Sequence, residues 1–175
     1  MQSDDNLSDS LLHSKSRALA RCGALCAAWV LFASASYADT GPFKGLGGEW
    51  SGGGSVSLGN GGKERINCRA TYEASSDGNN LQQRLRCASD SYKFELSSNV
   101  IYVAGQVSGT WTEASRNMSG VISGRASGSQ FEVIVTSPSF SANLSLTTHG
   151  NQQSIVISAP PGGQLVGASI NMTRK

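Results

Sequence analysis

Short stretches of alternating apolar and polar residues follow one another along most of this chain. Trp50, Val56 and Leu58 alternate with polar or small residues, and Phe140 and Leu144 do the same much further along. An apolar residue at every second position is typical of a β-strand with one buried face. Gly, Asn, Ser and Pro separate the stretches, as in β-turns. The pattern predicts ten strands, at residues 49–58, 63–73, 81–89, 92–96, 100–113, 120–126, 131–136, 140–147, 152–158 and 165–173.

The links between these predicted strands are too short to contain a crossover helix. Neighbouring strands should therefore pair antiparallel, and their apolar faces need a common core. We expect an all-β chain that forms a single antiparallel up-and-down β-barrel of about 8–10 short strands. A Greek-key β-sandwich is the alternative.

Three aromatic residues are candidates for lining the interior of such a barrel. Trp50 lies in the first predicted strand, Trp111 in the fifth, and Phe140 begins the eighth. In the fifth strand Ile101 and Val103 fall in phase with Trp111, so the alternation predicts that all three face the interior. In a hollow barrel Trp50, Trp111 and Phe140 would line a ligand cavity. In a filled barrel they would be core side chains.

The first 38 residues have the layout of a secretion signal. Basic residues precede an apolar run at 22–33, and small residues end at Ala38. The run is too short to cross a bilayer as a stable anchor. We therefore divide the chain into a signal peptide at 1–38, a flexible N-terminal arm at 39–47 and a barrel domain at 48–175. The expected location is the periplasm or the medium, after cleavage near Ala38.

Two cysteines, Cys68 and Cys87, remain after the predicted cleavage. An even pair in an exported chain indicates a disulfide. The Ser-Asp-Gly-Asn-Asn segment between them predicts a hairpin turn. If Cys68 faces Cys87 across this hairpin, Ala70 faces Leu85 and Tyr72 faces Gln83 on the core side. The disulfide would stabilise the fold by about 3 kcal/mol through the loop that it closes.

The same register places four arginines on the outer face of the hairpin: Arg65, Arg69, Arg84 and Arg86. Arg65 would lie opposite Asp90, and Arg69 directly opposite Arg86. Like charges in a cross-strand pair are unfavourable, so acidic neighbours or solvent should compensate. The alternative is a basic face that binds an anion or an acidic partner through guanidinium groups.

Charge and motifs restrict the other function classes. A net charge of +2 gives little attraction to nucleic acid or to an anionic membrane. His149, the one histidine left after the predicted cleavage, lies in a turn, and one histidine with one cystine cannot form the usual zinc sites. Glu49 and Glu113 are carboxylates for glycosidase-like chemistry, but nothing in the sequence sets their separation. No nucleophile–base pair is recognisable, so we expect no enzyme, no cofactor and no metal site.

Gly48-Glu49-Trp50 at the start of the first strand is similar to the G-x-W motif of lipocalins and the wider calycin group. This resemblance implies a barrel that binds a small ligand or a partner protein. The order of export signal, arm, G-x-W and disulfide hairpin also resembles small periplasmic metalloprotease inhibitors, and this implies that residues 39–44 enter a protease cleft. The whole chain resembles bacterial periplasmic small β-barrel proteins of uncharacterised activity, which implies a compartment and no activity.

These observations leave two expectations for function. The first is a monomeric, exported, non-catalytic barrel that binds a small ligand or a partner protein in the periplasm. The second is a protein that acts on a protease or on the cell envelope through its N-terminal arm and its basic hairpin face.

Overall fold

A computed structural model of the chain describes residues 40–91 and 93–175. The predicted signal peptide, Asp39 and Tyr92 lie outside these residues. The described part forms ten β-strands and no helix. Their bounds are β1 Gly48–Leu58, β2 Lys63–Ala74, β3 Asn80–Ala88, β4 Lys93–Val103, β5 Gln106–Glu113, β6 Met118–Ser127, β7 Gln130–Ser137, β8 Phe140–His149, β9 Gln152–Ser158 and β10 Leu165–Arg174.

The strands form one closed antiparallel barrel. Each strand pairs with its neighbour in sequence, and β1 pairs with β10 to close the sheet. The expected up-and-down barrel is therefore confirmed, and the β-sandwich is not formed. We call the end at which β1 begins and β10 ends the closed end. The opposite end, at which the even-numbered strands begin, is the open end.

The boundary between β4 and β5 differs from the prediction. β4 runs on to Val103, and a two-residue turn at Ala104 and Gly105 leads into β5. Both turn residues have positive φ, 48° and 87°, as in a tight hairpin turn. Because Val103 pairs with Gln106, the alternation changes phase at this turn. The prediction that Ile101 and Val103 face inward is wrong, since they are 47% and 65% exposed.

The disulfide hairpin has the predicted register. Cys68 pairs with Cys87, and a disulfide joins the two residues. Ala70 pairs with Leu85, and the other predicted pairs from Asn67 to Glu73 follow in step. Asp90 is the exception, because β3 ends at Ala88 and the two strands pair no further than Asn67. The predicted pair of Arg65 with Asp90 is therefore not formed.

The N-terminal segment closes one end of the barrel. Phe43 and Leu46 are 2% and 3% exposed, and Phe43 stacks on Phe131 with ring centroids 5.5 Å apart. The backbone NH of Phe43 donates to Gly78 O at 3.1 Å. The prediction of a flexible arm at 39–47 is therefore wrong for the part that the structure describes from Gly41 onward, because burial of two large apolar side chains fixes the segment.

Candidate functional site

The barrel encloses a cavity of about 430 Å³. Phe43 and Leu46 form its floor at the closed end, and the cavity extends between the strands to the open end. Its wall consists mainly of apolar side chains such as Val133, Leu144 and Ile155. Among the described residues, the polar side chains in the lining are Gln83, Ser98, Glu113, Arg116, Ser139 and Gln164.

Four apolar side chains surround the mouth of the cavity. Phe94, Met118, Phe140 and Leu165 lie at or near the starts of β4, β6, β8 and β10, and all four are partly buried against the core. Because these strands begin at the open end, their first inward side chains form a ring there. An apolar ring at a cavity opening favours passage of an apolar molecule.

Arg116, in the loop between β5 and β6, joins several parts of the mouth. Its Nε donates to Gln164 Oε1 at 3.3 Å, and Nη1 donates to the backbone oxygen of Lys93 at 2.9 Å. The same Nη1 lies 3.6 Å from Glu113 Oε2. Gln164 belongs to the loop between β9 and β10, and its backbone oxygen accepts from the NH of Gly59 at 3.0 Å. Arg116 therefore connects loops that start from different sides of the barrel.

Glu113 faces inward, as its phase with Trp111 predicted, and its side chain is 2% exposed. Burial disfavours the charged carboxylate and raises the pKa. Hydrogen bonds from the backbone NH groups of Glu95, Ser115 and Arg116, at 2.9, 3.0 and 2.8 Å, together with one from the Ser115 hydroxyl, outweigh that effect. The net result is a pKa for Glu113 below its usual value. This carboxylate fixes the β5–β6 loop.

A polar pair lies in the wall between the floor and the mouth. Gln83 pairs across the sheet with Tyr72 on one side and Ser98 on the other, so all three face inward. Ser98 Oγ donates to Gln83 Oε1 at 3.1 Å, and Ser98 is 3% exposed. Gln83 itself is half-buried and lines the cavity. The sequence already placed Gln83 on the core side, but it was not singled out as a site residue.

Two of the three predicted cavity aromatics line the cavity. Trp111 and Phe140 both contribute to its wall, with ring centroids 6.3 Å apart in an edge-to-face arrangement. The Trp111 indole lies over Gly120, where a Cβ would collide with the backbone oxygen of Thr136. Glycine at this position lets β6 approach β7 closely and leaves room for the indole.

Trp50 does not line the cavity, so its predicted position is corrected. It is 1% exposed and lies below the floor, where its Nε1 donates to Leu46 O at 2.8 Å. The Arg174 guanidinium lies 4.7 Å above the indole centroid and also donates to Gly45 O. Because the N-terminal segment packs over this end, Trp50 is separated from the cavity and anchors the closed end.

A second buried polar group lies beside Trp50. Tyr72 OH donates to Gln153 Oε1 at 3.0 Å, and Gln153 Nε2 donates to Thr148 Oγ1 at 3.3 Å. Burial raises the pKa of Tyr72 far above its usual range, despite the hydrogen bond to Gln153. Gln153 is 2% exposed and has partners at both ends of its carboxamide. This network completes the closed end.

The four arginines of the hairpin all lie on the outer face, as predicted: Arg65, Arg69, Arg84 and Arg86. Arg69 lies directly opposite Arg86. Arg84 has Glu73 at 3.6 Å and Arg86 has Glu95 at 3.9 Å, and these side chains are between 51% and 79% exposed. Exposed ion pairs of this length contribute little. A role of this face in binding an anion or a partner stays a prediction.

The remaining candidate groups are not brought together. Glu49 is exposed on the outside of the closed end, whereas Glu113 faces inward at the open end. His149 is exposed at the end of β8. In residues 40–91 and 93–175, no group of three or more His, Cys, Asp or Glu side chains is placed to bind a metal ion. The same residues contain no helix long and apolar enough to span a membrane.

Comparison with known proteins shows the fold of this chain and no family. No protein-family model matches it, and no curated protein does. Among solved structures, the S-type phycobiliprotein lyase CPES from Guillardia theta matches with a TM-score of 0.51 and 13% sequence identity. The match covers 76% of this chain and 90% of the lyase. It agrees with the calycin-like resemblance; the resemblance to periplasmic barrel proteins stays a prediction.

The same likeness corrects the expectation that this chain is not an enzyme. A protein with a barrel of this fold is a lyase. The barrel, together with the lack of familiar catalytic motifs, is therefore no ground for excluding catalysis. At 13% identity the likeness transfers no residue roles to this chain.

Proposed function

We propose that this chain binds a small, largely apolar ligand inside its barrel. The observation that carries the proposal is the cavity of about 430 Å³, closed by Phe43 and Leu46 and open at the other end. Ligand pockets in proteins are typically about 300–1,000 Å³ and mostly apolar, with a few polar groups. A barrel with a filled interior would offer no such site.

The mouth supports the same function. Apolar side chains ring the opening, and Arg116 with Gln164 supplies the polar groups across it. An apolar molecule would leave water at this ring and bury its surface against the wall, which is the main favourable term in such binding. The phycobiliprotein lyase shows that a barrel of this fold is compatible with a protein that acts on another molecule.

We also propose that the protein acts outside the cytoplasm, in the periplasm or the medium. The Cys68–Cys87 disulfide supports this location, because disulfides persist in oxidising compartments. The signal-like residues at 1–38 support it from the sequence.

Titration with N-phenyl-1-naphthylamine, a neutral dye that fluoresces in apolar surroundings, tests the cavity. We expect saturable binding by the wild-type protein. In Leu144→Trp the indole occupies the cavity, so dye affinity should fall at least about tenfold. In Val156→Trp, where the native side chain is 48% exposed on the outer face, affinity should be unchanged. Absence of saturable binding, or equal affinity in Leu144→Trp, would contradict the proposal.

A further inference from the structure

Gln83 occupies a position that suits recognition of a ligand. It is the fourth residue of the nine-residue strand β3, so it lies midway between the floor and the mouth. Tyr72 and Ser98, its cross-strand partners, are each 3% exposed. Gln83 is half-buried and lines the cavity, so its remaining exposed surface faces the interior.

The carboxamide of Gln83 is engaged by Ser98 through its oxygen. Ser98 Oγ donates to Oε1, which leaves Nε2 with both of its hydrogens directed away from that bond. Within residues 40–91 and 93–175, the bond from Ser98 is the one hydrogen bond that the Gln83 carboxamide makes, and it engages the oxygen and not Nε2. An amide donor in an apolar wall is unfavourable unless water or a ligand satisfies it.

Gln153 shows how the same side chain is buried when it does not line this cavity. Its Oε1 accepts from Tyr72 and its Nε2 donates to Thr148, so both ends of its carboxamide are satisfied. Gln153 is sealed in the closed end at 2% exposure. The donor of Gln83 therefore remains available at the place where the barrel is hollow.

The charges around the cavity restrict the acceptor. Among the described lining residues the charged side chains are Glu113 and Arg116, and both lie at the open end. Among residues 40–91 and 93–175, no cationic side chain lines the cavity at the depth of Gln83, where it could neutralise a carboxylate. Burying an unpaired charge is far more costly than burying a neutral carbonyl oxygen.

We propose that Gln83 Nε2 donates a hydrogen bond to an uncharged carbonyl-type oxygen of the bound ligand. The ligand class is then an apolar molecule with a ketone, ester or amide oxygen midway along its length. This assignment rests on the proposed function, because it concerns the same cavity. Gln83 is a specificity-determining residue in it.

Two compounds of similar size and shape test the assignment. Benzophenone carries a carbonyl oxygen between two phenyl rings, whereas diphenylmethane has a methylene group there. Displacement of N-phenyl-1-naphthylamine from the full chain gives both affinities. One neutral hydrogen bond corresponds to about a 2–10-fold effect, so Gln83→Leu should lose benzophenone affinity by that factor and keep that for diphenylmethane. Gln82→Leu, one residue away on the outer face, should change neither.

A measurement on the wild-type protein makes the test independent of any variant's folding. The side-chain amide signal of Gln83 in ¹⁵N NMR spectra should shift downfield with benzophenone and much less with diphenylmethane. Equal shifts, or unchanged discrimination in Gln83→Leu, would overturn this inference while leaving the cavity function intact. Failure of the wild-type protein to bind the dye or either compound would instead overturn the proposed function, and this inference with it.

Discussion

Arg116 Nε donates a hydrogen bond of 3.3 Å to Gln164 Oε1, and this bond joins two loops on different sides of the barrel mouth. The loops follow β5 and β9. The first loop connects β5 to β6, and the second connects β9 to β10. Around the barrel, β7 and β8 lie between these two strand pairs in one direction, and β1 to β4 lie between them in the other. The bond therefore crosses the opening of the cavity.

Removing this bond should open the mouth. In Gln164→Leu the contacts of Arg116 with Glu113 and Lys93 remain, so the loss is confined to the hydrogen bond across the mouth. An exposed hydrogen bond contributes about 0.5–1.5 kcal/mol, so both association and dissociation of the dye should become about 2–10-fold faster. The equilibrium affinity should change much less. Stopped-flow fluorescence measures both rates.

Gln152→Leu is the matched control for this variant. Gln152 is an exposed glutamine at the start of β9, at the closed end of the barrel. Its replacement should leave both rates unchanged. If Gln164→Leu also leaves the association and dissociation rates unchanged, the hydrogen bond between Arg116 and Gln164 does not restrict access to the cavity.

Glu113 should make the stability of the mouth depend on pH. Because its pKa in the folded protein lies below the ordinary 4.5, the carboxylate contributes stability that is complete above that value. This contribution is lost as the pH falls through the folded-state pKa. Glu113→Gln should therefore lower the free energy of unfolding by about 1–3 kcal/mol at neutral pH. The deficit should shrink in acid.

Urea unfolding of both proteins between about pH 3 and pH 7 measures this difference. Glu64 and Asp77 also have lowered pKa values because of their hydrogen bonds. Both carboxylates are present in the wild type and in the variant, so their contributions to the pH dependence of unfolding cancel in the comparison. A deficit that stays constant over the whole acid range would contradict the assigned role of Glu113.

The opposed guanidinium groups of Arg69 and Arg86 predict a stabilising charge reversal. Arg69→Glu places a carboxylate directly opposite Arg86, which should raise the free energy of unfolding by about 0.5 kcal/mol. The gain should shrink with salt, because the site is exposed. Arg125→Glu is the control with the opposite sign, since Arg125 lies opposite Glu132 and reversal creates a like-charge pair. Equal effects of the two variants in urea unfolding would contradict this account.

The sequence was most informative where a covalent constraint acted on a regular pattern. Pairing Cys68 with Cys87 was enough to derive the register of β2 against β3, because every other pair follows by counting. The same register placed Gln83 opposite Tyr72 on the inner side. The polar donor of the cavity could therefore have been found from the sequence, had an inward glutamine been treated as a candidate site.

The sequence was least informative where neighbouring residues are all apolar or where tertiary packing decides. From Val100 to Val103 every side chain is apolar, so alternation could not show which face was buried, and the Ala104–Gly105 turn was missed. The segment around Phe43 contains glycine and proline, a composition that predicts flexibility, whereas contacts remote in sequence bury it. That packing also explains why Trp50 lies below the cavity floor.

The position of the bound ligand tests the central claim most directly. Methyl NMR spectra of the protein, recorded with and without N-phenyl-1-naphthylamine, distinguish the two faces of the sheet. The cavity account predicts shifts at Val133, Leu144 and Ile155, which line the interior. It predicts none at Val121, Ile134 and Val156, which are exposed on the outer face. Shifts confined to the outer methyl groups, or no shifts at a saturating dye concentration, would contradict it.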